Sequence, residues 1–144
     1  MRCRDLMKTD IFYCRTSDPI YRAAELMATE EVGFVPVLDT MKRLVGVVTD
    51  RDLAVRVGAK RLDYQTPVER VMSSPIFACK ALDPLARAEE QMAMHHKSRI
   101  PVIDDFGECI GIISLSDIAQ ATAPAESGDV LGKVTAREAD SRTH

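Results

Sequence analysis

The sequence predicts a mixed α/β fold built from two tandem copies of one β-α-β-β-α unit, and three observations carry that prediction. First, shifting the chain by 65 residues aligns 7–54 with 72–119 without a gap and with 17 identical pairs in 48, where composition alone would supply about three. The pairs include Met7/Met72, Cys14/Cys79, Asp18/Asp83, Pro36/Pro101, Gly46/Gly111 and Asp52/Asp117. Second, apolar residues inside each copy change from strand-like runs to helical spacing and back. Third, 144 residues with 46% hydrophobic and 28% charged side chains are enough to bury a real core and too apolar for a disordered chain.

Each copy opens on a short apolar strand, Ile11–Cys14 or Ile76–Cys79. Asp18-Pro19 and Asp83-Pro84 then start a helix, with Asp expected as N-cap and Pro at the first helical position, where its missing N–H costs nothing. Ile20, Ala23, Ala24 and Met27, and Leu85, Ala88 and Met92, recur at the spacing of a buried helix face. Phe34–Leu38 and Leu44–Val48 read as two further strands around the polar turn 39–43, and Ile100–Ile103 and Cys109–Ile113 as their counterparts around Asp104-Asp-Phe-Gly107. A helix closes each copy, Asp50 to about Val57 and Leu115 to about Ala121. Thr66-Pro67-Val68-Glu69 has the form of a capping box for a short helix before the second copy, and Arg4-Asp5-Leu6-Met7 occupies the matching place before the first. The segment 123–144 is expected to be a partly helical or disordered tail.

Composition also removes whole classes of function. No apolar run reaches the ~18 residues of a membrane span, and the N-terminal stretch has no apolar core of a secretory signal. A net charge of −3 from 19 basic and 22 acidic residues argues against nucleic acid as a partner. Four scattered cysteines and three histidines offer no metal-ligand spacing, so free thiols in a reducing cytoplasm are expected. With no nucleophile–base pair and no glycine-rich phosphate loop, an enzyme is not expected.

Each copy ends in apolar-Pro-Val-x-Asp followed by Gly-h-h-[Ser/Thr]-x-x-Asp. These are Val35-Pro36-Val37-Leu38-Asp39 with Gly46-Val-Val-Thr49-Asp-Arg-Asp52, and Ile100-Pro101-Val102-Ile103-Asp104 with Gly111-Ile-Ile-Ser114-Leu-Ser-Asp117. This pattern, covering about residues 4–122, resembles the tandem cystathionine-β-synthase (CBS) domain pair, or Bateman module, in stand-alone form. The resemblance implies two repeats packed about a pseudo-twofold axis (repeat one about 7–57, repeat two about 72–121). It also implies an adenosine-type ligand in the cleft between them, namely AMP, ADP, ATP or S-adenosylmethionine, with no required cofactor. Carried over residue by residue, Thr49 with Asp52 and Ser114 with Asp117 would hold ribose, where a carboxylate can accept from two hydroxyls. N-capping alone also explains both tetrapeptides.

Arg51 and Arg99 stand at the family's phosphate-reading positions, one in each copy, although surface ion pairing is open to both. The copies diverge there, with Phe34 matching Arg99 and Ser116 matching Arg51. The Thr49/Asp52 site, with phosphates toward Arg51 and Arg99, is therefore expected to dominate. Tyr13, Val35, Ala78 and Ile100 are the expected adenine pocket, with sheet core as the other role for strand valines. Cys14 and Cys79 read as buried thiols or as redox sensors. The function expected is a regulatory module that binds an adenosine-type ligand and signals to an unidentified protein target, in a homodimer. The alternative is a ligand-free dimeric interaction scaffold.

Overall fold

Two hairpins with the same register, 65 residues apart, form the framework of the protein. In the computed structural model, which describes residues 1–74 and 77–122, β1 (Cys14–Arg15), β2 (Phe34–Leu38) and β3 (Leu44–Thr49) make one three-stranded sheet, and β4 (Cys79–Lys80), β5 (Arg99–Ile103) and β6 (Cys109–Ser114) make the other. In each, the short strand runs parallel to the middle one, which pairs antiparallel with the third. Phe34 lies opposite Thr49 and Arg99 opposite Ser114, and both hairpins carry an irregularity at the same place, Val37/Leu38 and Val102/Ile103. The Asp39 and Asp104 carboxylates hold the turns by accepting from the backbone N–H groups of residues 41 and 43, and of 106 and 108. These bonds, led by that of the Arg43 N–H, keep the Asp39 carboxyl below its usual range.

Helix α2 (Ile20–Glu30) links β1 to β2, and α4 (Leu85–His95) links β4 to β5. Both end on a left-handed residue, Glu31 at φ 54° and His96 at φ 55°. Their N-termini differ from the expectation. Pro19 and Pro84 are the N-caps, and Asp18 and Asp83 turn back to accept from the N–H groups of Arg15 and Lys80. Each aspartate therefore tightens the strand-to-helix turn in place of capping a helix. The buried faces are Ile20, Ala23 and Leu26, and Leu85, Ala88 and Met92, while Ala24 is exposed. The first strands are shorter than expected, because only Cys14–Arg15 and Cys79–Lys80 reach a partner strand; Ile76 lies outside the described residues. Helix α3 (Asp50–Asp52) runs on as a wider π-helical turn over Leu53–Gly58, and α5 (Leu115–Thr122) is regular. A 3₁₀ turn at Val68–Arg70 replaces the expected capping-box helix; its N-cap is Pro67, which carries no side-chain acceptor.

The chain divides into two compact units, but not between the copies. Phe12–Ile76 forms the first-repeat unit, and Met1–Ile11 joins the segment from Phe77 onward in the second-repeat unit. The segment before each copy thus belongs with the other copy. In the first-repeat unit Val68 N–H donates to Asp18 C=O and Glu69 N–H to Thr16 C=O; in the second-repeat unit Cys3 N–H donates to Asp83 C=O and Arg4 N–H to Ala81 C=O, with Cys3–Leu6 forming helix α1. Ser73 then pairs with Val47, and Lys8 with Ile112, at the outer edges of β3 and β6. Val47 exchanges both backbone bonds with Ser73, and Ile112 with Lys8, so these residues face away from Pro36 and Pro101 opposite them, and neither proline is asked for an N–H on that side. Met72 covers Gly46 and Met7 covers Gly111 so closely that a Cβ would fall 2.6 or 2.8 Å from the methionine sulfur.

Each unit has its own core, Cys14, Ala23, Leu26, Val35, Val37, Val48 and Val68 in one, and Cys3, Cys79, Ala88, Met92, Ile100, Val102, Ile113 and Ile118 prominent in the other. All four cysteines are free and buried, and burial pushes Cys14 and Cys109 up to about 11. Among the described residues no helix is long and apolar enough to cross a membrane. The expected tail, 123–144, lies outside the described residues.

Candidate functional site

The two Gly-h-h-[Ser/Thr]-x-x-Asp motifs sit where β3 runs into α3 and β6 into α5, so each hydroxyl stands at a helix start. Thr49 Oγ1 accepts from Asp52 N–H at 3.0 Å, and Ser114 Oγ accepts from Asp117 N–H at 3.1 Å. From there the motifs part. Asp52 Oδ2 accepts from Thr49 N–H at 2.9 Å and closes a reciprocal capping box. Ser73 donates its hydroxyl to the same carboxylate at 2.8–2.9 Å, and Arg56 Nε lies 3.7 Å from Oδ1. Asp52 is 6% exposed and fully used by its own unit.

Asp117 has no such set of partners. Its Oδ2 is buried and receives no hydrogen bond among the described residues, with Lys8 Nζ 3.8 Å away at ion-pair distance. The contrast reflects differences between the copies, since Ser73 and Lys8 occupy equivalent edge positions and Arg56 is matched by Ala121. A short hydroxyl reaches the carboxylate to hydrogen-bond distance, whereas the Lys8 side chain, 75% exposed, stays mostly in water. A buried acceptor without a donor carries a cost of about 1–3 kcal/mol unless something supplies one.

The basic residues fall unequally as well. Arg99 opens β5 and is the register partner of Ser114, so the two share one sheet face, about 5 Å apart at Cβ. The first-repeat motif has Phe34 in that position, 4% exposed and set edge-to-face on Phe12 with centroids 6.1 Å apart. Arg51 is exposed on α3 of the first-repeat unit. The structure thus places Arg99 beside the Ser114/Asp117 motif of its own unit, and the carboxylates of the two motifs are engaged differently. Of the expected adenine-pocket residues, Val35 and Ile100 are fully buried in their own cores and present no surface, while Tyr13 and Ala78 are half-buried ahead of β1 and β4. The signal missed in the sequence is Lys8, whose relation to Asp117 rests on a pairing between residues more than a hundred positions apart.

The family model described as "CBS domain" matches residues 3–58 and 68–123. The chain is 36% identical over 133 residues, 92% of its own length and 94% of the relative's, to the CBS domain-containing protein YhcV of Bacillus subtilis. Among solved structures it is similar to the CBS domain protein PAE2072 from Pyrobaculum aerophilum complexed with AMP, at TM-score 0.71 and 27% identity over 92% of this chain and 99% of that one. It is also similar to CBSX2 in complex with AMP, at TM-score 0.72 and 25% identity, covering 87% and 98%.

Proposed function

The chain belongs to the CBS-domain family, and from that premise we propose that it is a non-catalytic regulatory module whose adenosine-type ligand is held by the Ser114/Asp117 motif. The observation that carries this reading is the buried, donor-less Asp117 Oδ2 with Arg99 next to Ser114 across the β5–β6 pair. A ribose hydroxyl supplies the donor that Asp117 lacks, and the guanidinium of Arg99 and the ammonium of Lys8 suit a phosphate. AMP-bound relatives of the same fold support the ligand class. Thr49, Asp52 and Arg51 form the weaker counterpart, because a ligand there must displace Ser73 from Asp52. Tyr13 and Ala78 remain the adenine-facing candidates. The exposed Ala24, Ala28, Ala86, Ala93 and Met94 on α2 and α4 favour a homodimer through these helices, from which the module acts on a protein target in the cytoplasm. A scaffold with ligand sites plugged by Phe34 is disfavoured, since Phe34 packs into its own unit.

The test is a thermal-shift panel of AMP, ADP, ATP, S-adenosylmethionine and adenosine on the wild type and Arg99→Ala. A phosphorylated ligand at 100 times its Kd should stabilise the wild type by roughly 2.7 kcal/mol, and Arg99→Ala should weaken AMP far more than adenosine. A panel with no shift overturns the reading.

A further inference from the structure

The second-repeat unit contains a thiol pair that the first-repeat unit lacks. Cys3, on α1, and Cys79, on β4, lie together in one core at 0% and 2% exposure. Cys3 N–H donates to Asp83 C=O and Arg4 N–H to Ala81 C=O, which pins α1 beside the end of β4, and the Cys3 thiol donates to Pro84 C=O at 3.9 Å. Position 68 matches position 3 across the repeat, and there Val68 shares the core of Cys14. One buried cysteine with a valine neighbour suffices for packing in the first copy, so the second thiol is not needed to fill space.

We propose that Cys3 and Cys79 are a redox pair that staples the N-terminal segment to the second-repeat sheet. The oxidant is of the low-molecular-weight disulfide class. One cysteine attacks it to give a mixed disulfide, and the second cysteine displaces the small thiol. Two protein S–H bonds and the oxidant's S–S bond are broken, one protein S–S bond forms, and the two protons leave on two small thiols. Reduction runs the same exchange backward. Burial raises both thiols, so thiolate is scarce at neutral pH and exchange proceeds as α1 lifts from the sheet. That helix has four residues, and its opening is a local event well short of global unfolding. The bridge fixes the segment that pairs Lys8 with Ile112 and sets Lys8 beside Asp117.

The full chain is incubated with glutathione disulfide, with and without mild urea, and followed by intact mass, peptide mapping and Tm. The expected product has lost two hydrogens, links Cys3 to Cys79 within one chain, leaves two of the four thiols reactive on unfolding, and melts higher than the reduced chain. A Cys3→Val chain, given the side chain that serves at position 68, should fold with the Tm of the reduced wild type and show no oxidant-dependent rise. Persistent glutathione adducts, a bridge to Cys14, to Cys109 or to a second chain, four unreacted thiols even in urea, or an oxidant-dependent rise in Cys3→Val would each overturn the proposal.

Discussion

Replacing the two motif aspartates by alanine should have unequal consequences for stability, although the tetrapeptides look alike. Asp52→Ala removes the acceptor of the Thr49 N–H, a cap contribution of about 0.5–2 kcal/mol. It also strands the part-buried Ser73 hydroxyl, at roughly 1 kcal/mol or more. The Arg56 contact, 3.7 Å from a half-exposed guanidinium, adds little. The sum is about 1.5–3 kcal/mol, which for a chain of this size lowers Tm by roughly 4–10 °C. Asp117→Ala keeps the Ser114 cap on the backbone N–H of residue 117 and removes a carboxylate oxygen with no donor. Only the exposed Lys8 ion pair is lost, so stability should stay within about 1 kcal/mol of the wild type. Urea titrations of wild type and both variants without ligand, analysed at shared m-value, read this directly. Equal destabilisation of the two variants, or a neutral Asp52→Ala, would refute the reasoning from hydrogen-bond satisfaction.

Gly111→Ala should destabilise the second-repeat unit by about 1–3 kcal/mol, because its Cβ meets Met7 at 2.8–3.0 Å, and amide exchange of Met7 and Lys8 should quicken. Stability should fall as pH rises from 9 toward 11: Cys14 and Cys109 titrate near 9 when unfolded but near 11 when folded, so the folded chain holds their protons longer and that advantage disappears once both states ionise. Urea midpoints across this range should fall less steeply in a Cys14→Ala/Cys109→Ala chain, and identical slopes would contradict the assignment. Light scattering at micromolar concentration should give twice the chain mass of 15.9 kDa; the monomer mass would remove the homodimer.

The repeat, the hairpins and most of the helix faces were legible because they depend on local period and turn chemistry. Asp39 and Asp104 sit where a turn needs an acceptor, and from those turns the register that brings Arg99 to Ser114 follows. The helix starts were misread by one residue, since Asp18 can serve the turn behind it as readily as the helix ahead. Leu26 lies inside and Ala24 outside because the α2 face is set by the sheet it covers. Which copy Arg4–Met7 joins is a long-range choice, invisible to an alignment that knows only sequence neighbours. The candidate site inherits that gap. The residues Ser114, Asp117 and Arg99 could be named from the motifs, but their rank depends on Ser73 and Lys8, delivered to β3 and β6 by the exchanged segments.

Isothermal calorimetry of AMP against the Asp52→Asn and Asp117→Asn chains, beside wild type, tests the central claim that the second-repeat carboxylate receives the ligand. Losing a charge-assisted acceptor is worth about 1.5–3 kcal/mol, or roughly 10- to 150-fold in Kd. The account predicts that loss for Asp117→Asn and an affinity close to wild type for Asp52→Asn. The reverse order, or undiminished binding in Asp117→Asn, would contradict it.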